Sequence, residues 1–251
     1  MTDIIARIDD VTVSYGEKII LKHCSMDVVE GAITCIIGLS GAGKSTIVRL
    51  LMGLQRPSSG HVYLGTRDLC HSPEHELDEI RSKIGMSFQF AALLDSLSVG
   101  ENVALPLREN THMHDDDIRK TVTDALESVG LAHTYDNLPS ELSGGMLKRA
   151  GFARAIVTKP DLVLYDEPTT GLDPIVTHLI TDTIVNLRRK LNGTAVVISH
   201  DLHSIFMMAD YVAMLFEGAI IAYGSVAEIQ ASPNPIVQQF LGGSEVGPIP
   251  I

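Results

Sequence analysis

The residues Gly38-Leu39-Ser40-Gly41-Ala42-Gly43-Lys44-Ser45-Thr46 have the composition and spacing of a phosphate-binding loop. They follow an apolar run over residues 33–37 and precede a helical pattern over residues 47–52. Glycines allow backbone N–H groups to converge on a phosphate, and the new helix adds the positive end of its dipole. Lys44 can reach the β- and γ-phosphates, while the Ser45 hydroxyl can ligate Mg²⁺. Because a strand and a helix flank the loop, we favour this interpretation over an ordinary glycine-rich turn.

Two carboxylates, Asp166 and Glu167, end a second apolar run over residues 162–165. The first is suited to holding Mg²⁺, and the second to polarising a water molecule. The carboxyl ends of parallel strands form the edge at which α/β proteins bind ligands. His200 follows a further buried strand and falls at the same edge. A lone histidine after a strand is usually structural, but here it could contact a γ-phosphate.

A second glycine-rich helix start occurs at Ser143-Gly144-Gly145, before a helical pattern that reaches Ile156. The N-terminus of a helix can bind an anion. A monomer that binds one nucleotide does not need two phosphate-binding loops. We therefore expect the second loop to serve a nucleotide held by another copy of the chain.

Several features remain open from the residues alone. Tyr15 could stack on an adenine ring or simply pack at a strand end. The segment from Phe90 to Leu107 is apolar and loop-rich, and could be core or a docking face. His71 and His75 lie among acidic residues, but their spacing matches no metal-ligand pattern, so we expect a solvated loop. We interpret residues 111–117 in the same way, as a polar loop that starts a helix.

The overall composition excludes several classes of protein. The 251 residues carry a net charge of −12, with no tryptophan and 5% aromatic residues, which argues against nucleic-acid binding. No apolar run reaches the length of about 18 residues that would predict a membrane span. The first residues do not resemble a signal peptide. The cysteines, with neither disulfide nor metal spacing, are expected to be reduced and cytosolic.

The remaining pattern predicts alternating strands and helices. Short strands joined by a turn at Asp9-Asp10 are expected over residues 4–14, and another strand pair over residues 19–30. Helices are expected from Asp115 to Ser128 and over residues 175–191, and a hairpin around Glu217-Gly218. The last ten residues should form an extended tail whose apolar side chains need a partner.

Taken in order, these motifs resemble those of the ATP-binding subunit of an ABC transporter. The matching positions are Tyr15 for the aromatic loop, Gly38 to Thr46 for Walker A, Gln89 for the Q-loop, Leu142 to Met146 for the signature, Asp166-Glu167 for Walker B, Gly171 to Asp173 for the D-loop and His200 for the switch histidine. The signature distinguishes this family from other phosphate-loop ATPases. Met146 with the residues that follow it, together with the ending from Phe240 to Pro250, looks like the ATPases of Mla-type, MCE-linked phospholipid transporters.

The resemblance implies an α/β fold, a P-loop NTPase (RecA-like) core with an N-terminal antiparallel β subdomain and an inserted α-helical signature subdomain. Residues 1–251 would be a single ABC ATPase domain. Residues 1–90 and 160–241 would form the core and β subdomain, and residues 91–159 the helical subdomain. Residues 242–251 would be the extended tail.

The resemblance also implies a mechanism, in which two copies of the chain sandwich two ATP molecules head to tail. Catalysis would depend on Glu167, His200, Gln89 and Lys44. The metal ligands would be Ser45, Gln89 and Asp166, the last through water. ATP would contact Tyr15, Gly38, Ser40, Gly41, Ala42, Gly43, Lys44, Ser45 and Thr46 of one copy, and Ser143, Gly144 and Gly145 of the other.

The implied partners are a second copy of the chain, a membrane permease docking near residues 90–107, and an MCE-domain lipid-binding protein. The subunit would then lie at the cytoplasmic face of the inner or plasma membrane, attached through the permease. Two alternatives remain: the ATPase of an amino-acid or metal importer, or a soluble ABC ATPase acting on ribosomes or DNA. The fused halves or long coiled coils usual in the soluble class do not occur in this chain.

Overall fold

The computed structural model describes residues 3–249. The chain alternates between strands and helices along most of its length. The strands are β1 (Ile4–Tyr15), β2 (Lys18–Val29), β3 (Ile33–Ile37), β4 (Ser59–Leu64), β5 (Arg67–Asp68), β6 (Ile84–Ser87), β7 (Leu162–Asp166), β8 (Thr194–Ile198), β9 (Tyr211–Phe216) and β10 (Ala219–Ser225). The helices are α1 (Lys44–Leu51), α2 (Glu74–Arg81), α3 (Val99–Asn110), α4 (Asp115–Ser128), α5 (Gly144–Ile156), α6 (Pro174–Leu191), α7 (Leu202–Met208), α8 (Val226–Gln230) and α9 (Pro235–Gly242).

A mainly parallel sheet of order β10-β9-β3-β8-β7-β6 forms the centre of the fold. Strands β3 and β8 are buried along their whole length, as is typical of parallel strands covered on both faces. The pairing of β3 with β8, and of β8 with β7, is parallel, so their carboxyl ends share one edge. The phosphate-binding loop, the two carboxylates and His200 follow those ends.

A smaller antiparallel sheet of order β2-β1-β4-β5 packs over helix α1. The sequence-based prediction of a turn at Asp9-Asp10 is wrong, because β1 runs through both residues. Asp10 instead has a φ of 49°, and the register with β2 shifts between Ile8 and Val11, so the strand bends at a bulge. The expected strand pair over residues 19–30 is likewise a single strand, β2, which ends at Val29.

The helices α3, α4 and α5 pack together and cover the sheet from one side. Phe152 of α5 meets Tyr165 of β7 edge-on, with ring centroids 5.0 Å apart. The expectation of an irregular segment from Phe90 to Leu107 is corrected here, since its second half belongs to α3. Ser98 caps that helix in a reciprocal pair with Glu101. The boundaries of the predicted subdomains stay a prediction.

The C-terminal segment turns back onto its own chain. Gly242 belongs to α9, and Gly243 ends that helix with a φ of 60°. The Gln239 amide donates to the Ser244 carbonyl (3.1 Å), while the Ile249 N–H donates to Gln239 Oε1 (2.6 Å). Ile249 is also buried. The expectation of an extended tail is therefore wrong for the described residues, which end at Ile249. Pro250 and Ile251 lie outside them.

Between residues 3 and 249, no helix combines the length and the apolar character needed to cross a membrane.

Candidate functional site

The phosphate-binding loop joins β3 to α1 in a backbone conformation that requires glycine. Gly38, Gly41 and Gly43 have φ values of 149°, 78° and 110°. A Cβ atom at Gly38 would lie 2.2 Å from the carbonyl oxygen of Leu215 on β9. The loop is therefore seated directly against the sheet, and its first glycine cannot be replaced without moving backbone.

The Lys44 side chain is buried beneath this loop. Its ammonium donates to the carbonyl oxygens of Gly38 (2.9 Å) and Leu39 (3.0 Å). Burial lowers the pKa of Lys44, although the nearby carboxylates of Glu167 and Asp166 oppose that shift. The result is a positive charge held at the loop with little water around it, where it interacts strongly with a phosphate.

The two carboxylates at the end of β7 occupy different environments. Burial and the neighbouring Glu167 raise the pKa of Asp166, while Lys44 works in the opposite direction. Glu167 has a φ of 48°, and its N–H donates to the Ile198 carbonyl (2.9 Å) at the end of β8. This strained residue is thus fixed between two strand ends, as is common at functional sites.

The Glu167 side chain is held by two neighbours. Its Oε2 accepts a hydrogen bond from Thr170 Oγ1 (2.9 Å) and lies 2.8 Å from Nδ1 of His200. One oxygen of the carboxylate therefore has its orientation fixed, while Oε1 has neither of these contacts. Thr170 was not singled out from the sequence, although it follows Glu167 by a single turn.

A cleft of about 420 Å³ brings most of the predicted residues together. That volume is within the usual range for small-molecule sites. Its lining comprises Ser40, Gly41, Gly43, Lys44, Ser45, Thr46, Gln89, Asp166, Glu167 and His200, with Ile20 and Ile198 in addition. Gly38 and Ala42 belong to the loop without lining the cleft.

Four predicted positions, Tyr15 and Ser143 to Gly145, lie elsewhere. Tyr15, at the end of β1, is 55% exposed and does not line the cleft. Ser143, Gly144 and Gly145 form the start of α5, where Ser143 caps the helix, and they too are outside the cleft. A Cβ atom at Gly145 would lie 2.5 Å from Val176 Cγ1, so the α5 start packs against the start of α6.

Sequence reasoning missed two cations of α5 that hold the backbone around Gln89. Lys148 is only 7% exposed, and its ammonium donates to the carbonyl oxygens of Gln89 and Glu167, the latter at 3.1 Å. Arg154 donates to the carbonyl oxygens of Ala91 and Ala92, at 2.6 Å each. Both alanines have positive φ, at 58° and 49°. The only signal in the sequence was the presence of basic residues on a helix with mostly apolar neighbours.

Known proteins share this arrangement. The family model described as ABC transporter matches residues 21–170. The chain belongs to the ABC transporter family. It is 39% identical to the intermembrane phospholipid transport system ATP-binding protein MlaF of Haemophilus influenzae over 249 residues, which are 99% of this chain and 94% of that protein. It is 35% identical to the probable ribonucleotide transport ATP-binding protein mkl of Mycobacterium leprae, over 97% of this chain and 70% of that protein.

Solved structures agree with this assignment. A dimeric ATP-binding cassette in a post-hydrolysis state, bound to ADP and phosphate, aligns with a TM-score of 0.80 and 30% identity, over 88% of this chain and 98% of that one. The predicted fold class, an ATPase core with an antiparallel sheet and a helical subdomain, is confirmed. The chain is an ATP-binding member of its family, and hydrolysis of ATP is the activity that this membership indicates.

Proposed function

We propose that this chain is the ATP-hydrolysing subunit of a transporter that moves phospholipid through a separate permease. The observation that carries the proposal is one cleft that contains the phosphate-binding loop, Lys44, both carboxylates and His200. Phosphoryl transfer requires positioning and charge stabilisation more than covalent chemistry. A positively charged loop that faces a fixed carboxylate supplies both.

The donor atoms of Ser45, Gln89 and Asp166 fit a magnesium ion. A hydroxyl, an amide carbonyl and a carboxylate are all hard oxygen ligands, the type that Mg²⁺ prefers, and all three residues line the cleft. When bound, the ion neutralises negative charge on the β- and γ-phosphates. We propose these three side chains as its protein ligands, Asp166 through water.

Glu167 acts as the residue that orients and polarises the attacking water. His200 and Thr170 hold one carboxylate oxygen, which leaves the other to accept a hydrogen bond from water. His200 is exposed and sits at the mouth of the cleft, where it is placed to contact the γ-phosphate. Lys44 and the amides of the loop bind the phosphates.

The site is completed by a second copy of the chain. Ser143, Gly144 and Gly145 form a capped helix start outside their own cleft, which supports a role at the nucleotide of the other copy. A similar solved cassette is dimeric. The exposed ring of Tyr15 would stack on the adenine.

The permease docks near residues 90–107. Phe90 is 84% exposed and Leu94 is half exposed, which gives this segment an apolar surface beside the Gln89 backbone. Such a patch is typical of a protein interface. Through the permease the subunit would be held at the cytoplasmic face of the membrane. An MCE-domain partner and a phospholipid cargo are proposed from the similarity to MlaF, and nucleic acid is not expected as a partner.

The catalytic part of the proposal is tested with Glu167→Gln. We expect turnover to fall at least about 100-fold, since a positioned general base contributes 10²–10⁴-fold. ATP binding should persist, and size-exclusion chromatography with ATP should show a trapped dimer. Glu127→Gln, on the exposed face of α4, is the matched control. Equal turnover in Glu167→Gln and the parent protein would refute the assignment.

The transport part is tested by a membrane pull-down of the tagged full chain, with mass spectrometry of bound proteins and lipids. A permease with an MCE-domain protein and phospholipid is the expected result. A permease that carries another solute, such as a ribonucleotide, would contradict the proposed phospholipid cargo but not the assignment to the ABC transporter family. Recovery of the chain without any membrane partner would favour a soluble ABC ATPase.

A further inference from the structure

Two imidazoles and a carboxylate meet on the antiparallel sheet, at residues that do not line the nucleotide cleft. His61 belongs to β4, Asp68 to β5, and His71 to the loop before α2. Nδ1 of His61 lies 2.8 Å from Asp68 Oδ2, and Nδ1 of His71 lies 2.7 Å from the same oxygen. The two imidazole rings are 5.4 Å apart. The expectation of a plain solvated loop at His71 overlooked this cluster, because His61 comes from the preceding strand.

The carboxylate is rigidly placed between the histidines. Its second oxygen, Oδ1, accepts the Cys70 N–H at 2.9 Å, which fixes the plane of the group. Burial raises the pKa of Asp68, but hydrogen bonds from His71 and His61 outweigh it and lower the pKa to about 2. Among the described residues, no lysine or arginine forms an ion pair with Asp68. The negative charge is therefore met by the two imidazoles and the Cys70 N–H, on a chain of net charge −12.

The ligand atoms have the chemistry and nearly the spacing of a transition-metal site. Each residue offers one ligand atom, an imidazole nitrogen or a carboxylate oxygen, and these atoms lie within 4.8 Å of one another. Zinc binds histidine nitrogen and carboxylate oxygen at about 2.0–2.2 Å, so tetrahedral ligand atoms are separated by roughly 3.3 Å. The two nitrogens need to move only about half an ångström from the Asp68 oxygen. Both rings have room for that movement, since His61 is 44% exposed and His71 is 72% exposed at the side chain.

We propose that His61, Asp68 and His71 bind a divalent transition-metal ion, Zn²⁺ being the probe of choice. Imidazole nitrogen selects such metals over Mg²⁺ and Ca²⁺. Solvent occupies the remaining coordination position, because both histidines are open to water. The ion would join β4 to the loop before α2, and so tie together segments on both sides of the β4–β5 turn.

The test is a zinc titration of the tag-free, full-length, nucleotide-free protein after chelator treatment. Calorimetry is run in excess Mg²⁺, so that Zn²⁺ has a competitor for the oxygen ligands of the nucleotide cleft. We expect one saturable equivalent of Zn²⁺ and an accompanying rise in the melting temperature. In His71→Ala the affinity should fall at least about tenfold, because a ligand is lost. His75→Ala removes an exposed neighbouring histidine outside the cluster, and should bind as the parent does.

Three outcomes would overturn the proposal: absence of saturable binding, unchanged affinity in His71→Ala, or a loss of affinity in His75→Ala equal to that in His71→Ala. Because His71 is exposed, the variant should fold, and an unchanged basal ATPase rate verifies this. Co²⁺ gives a second, spectroscopic readout that does not depend on calorimetry. The visible ligand-field bands of a low-coordinate complex should develop with the parent protein and be absent from His61→Ala. Bands of equal intensity in both proteins would count against the site.

Discussion

Lys148 offers the sharpest test of how the cleft is positioned, because it contacts the backbone of Gln89 and Glu167, two proposed catalytic residues, without lining the cleft. Its ammonium donates to the carbonyl oxygens of Gln89 and of Glu167. Lys148→Met removes both hydrogen bonds and keeps a side chain of similar length. The two carbonyl oxygens lose their charged donor in a region where Lys148 itself is buried.

The expected cost follows from those two bonds. A hydrogen bond to a charged group contributes about 1.5–3 kcal/mol, so two bonds give about 3–6 kcal/mol. Burial lowers the pKa of Lys148, more than Glu167 and Asp166 raise it, so the buried ammonium also carries a penalty that methionine avoids. We therefore expect a net loss near the lower end of that range, about 3 kcal/mol. In a chain of this size, that lowers Tm by roughly 6–12 °C.

Turnover should respond differently from nucleotide affinity. The Lys148 contacts fix the backbone of Gln89 and Glu167, so their loss should lower kcat by misplacing both side chains. KM for ATP should change less, because Lys148 does not line the cleft. Thermal melts and steady-state ATPase assays measure the two effects.

Two controls separate this positioning role from a general effect of removing a lysine. Lys148→Arg keeps a charged donor and should recover most of kcat. Lys120→Met removes a lysine from the exposed face of α4 and should melt as the parent does. If Lys148→Met retains the parent's Tm and kcat, the two hydrogen bonds do not position the cleft.

Further predictions concern Asp166, Thr170 and Gly38. Burial and Glu167 raise the pKa of Asp166 in the folded protein above its value in the unfolded chain. Keeping this carboxylate ionised therefore costs folding free energy once the pH rises above the unfolded-state pKa. The cost is absent at lower pH. Asp166→Asn should therefore raise the neutral-pH Tm of the nucleotide-free protein by about 1–3 °C and abolish Mg²⁺-dependent ATPase activity; a lower Tm would contradict the sign. Thr170→Val removes the hydrogen bond to the charged Glu167 Oε2, worth about 1.5–3 kcal/mol; it should lower Tm by roughly 3–12 °C and lower kcat, because the carboxylate loses one of the two contacts that orient it. Gly38→Ala would place a Cβ atom 2.2 Å from the Leu215 carbonyl and should cost at least about 3 kcal/mol in urea unfolding. Gly41→Ala, with nothing within 4 Å of the added atom, should cost only about 1 kcal/mol; equal costs would refute the close-approach argument.

Sequence reasoning succeeded where the proposed functional residues directly follow a strand along the chain. The phosphate-binding loop, Asp166-Glu167 and His200 each follow an apolar strand, and parallel strands bring such ends to one edge. The same reasoning failed for β1, because a bulge at Asp10 has the residue composition of a turn. It also missed α3, although Ser98 and Glu101 have the spacing of a capping box. There, an internal Pro106 and weak periodicity obscured the helix.

Other contacts could not have been inferred because they join distant parts of the chain. Lys148 meets a carbonyl 59 residues away, and Arg154 meets carbonyls 62 and 63 residues away. Neither contact has a local pattern, since the acceptors are backbone atoms present at every position. Tyr15 is a different case: its exposed ring does not line the cleft, and the adenine contact suggested by its type and place in the sequence stays a prediction.

The charges around the cleft explain why the proposed metal ion and nucleotide should bind together. Lys44 and Lys148 are both stabilised in their charged forms by Glu167 and Asp166, which gives two buried cations against two carboxylates. These buried charges are balanced, and the only further cation that acts on Asp166 among the described residues is the exposed Arg49. A bare triphosphate would therefore meet Asp166 and Glu167 with little surplus positive charge. The proposed divalent cation, held by Ser45, Gln89 and Asp166, would restore the balance, whereas a lysine in its place would have to be buried at further cost. The same carboxylate that destabilises the isolated chain would therefore be the one that makes nucleotide binding depend on the proposed metal ion.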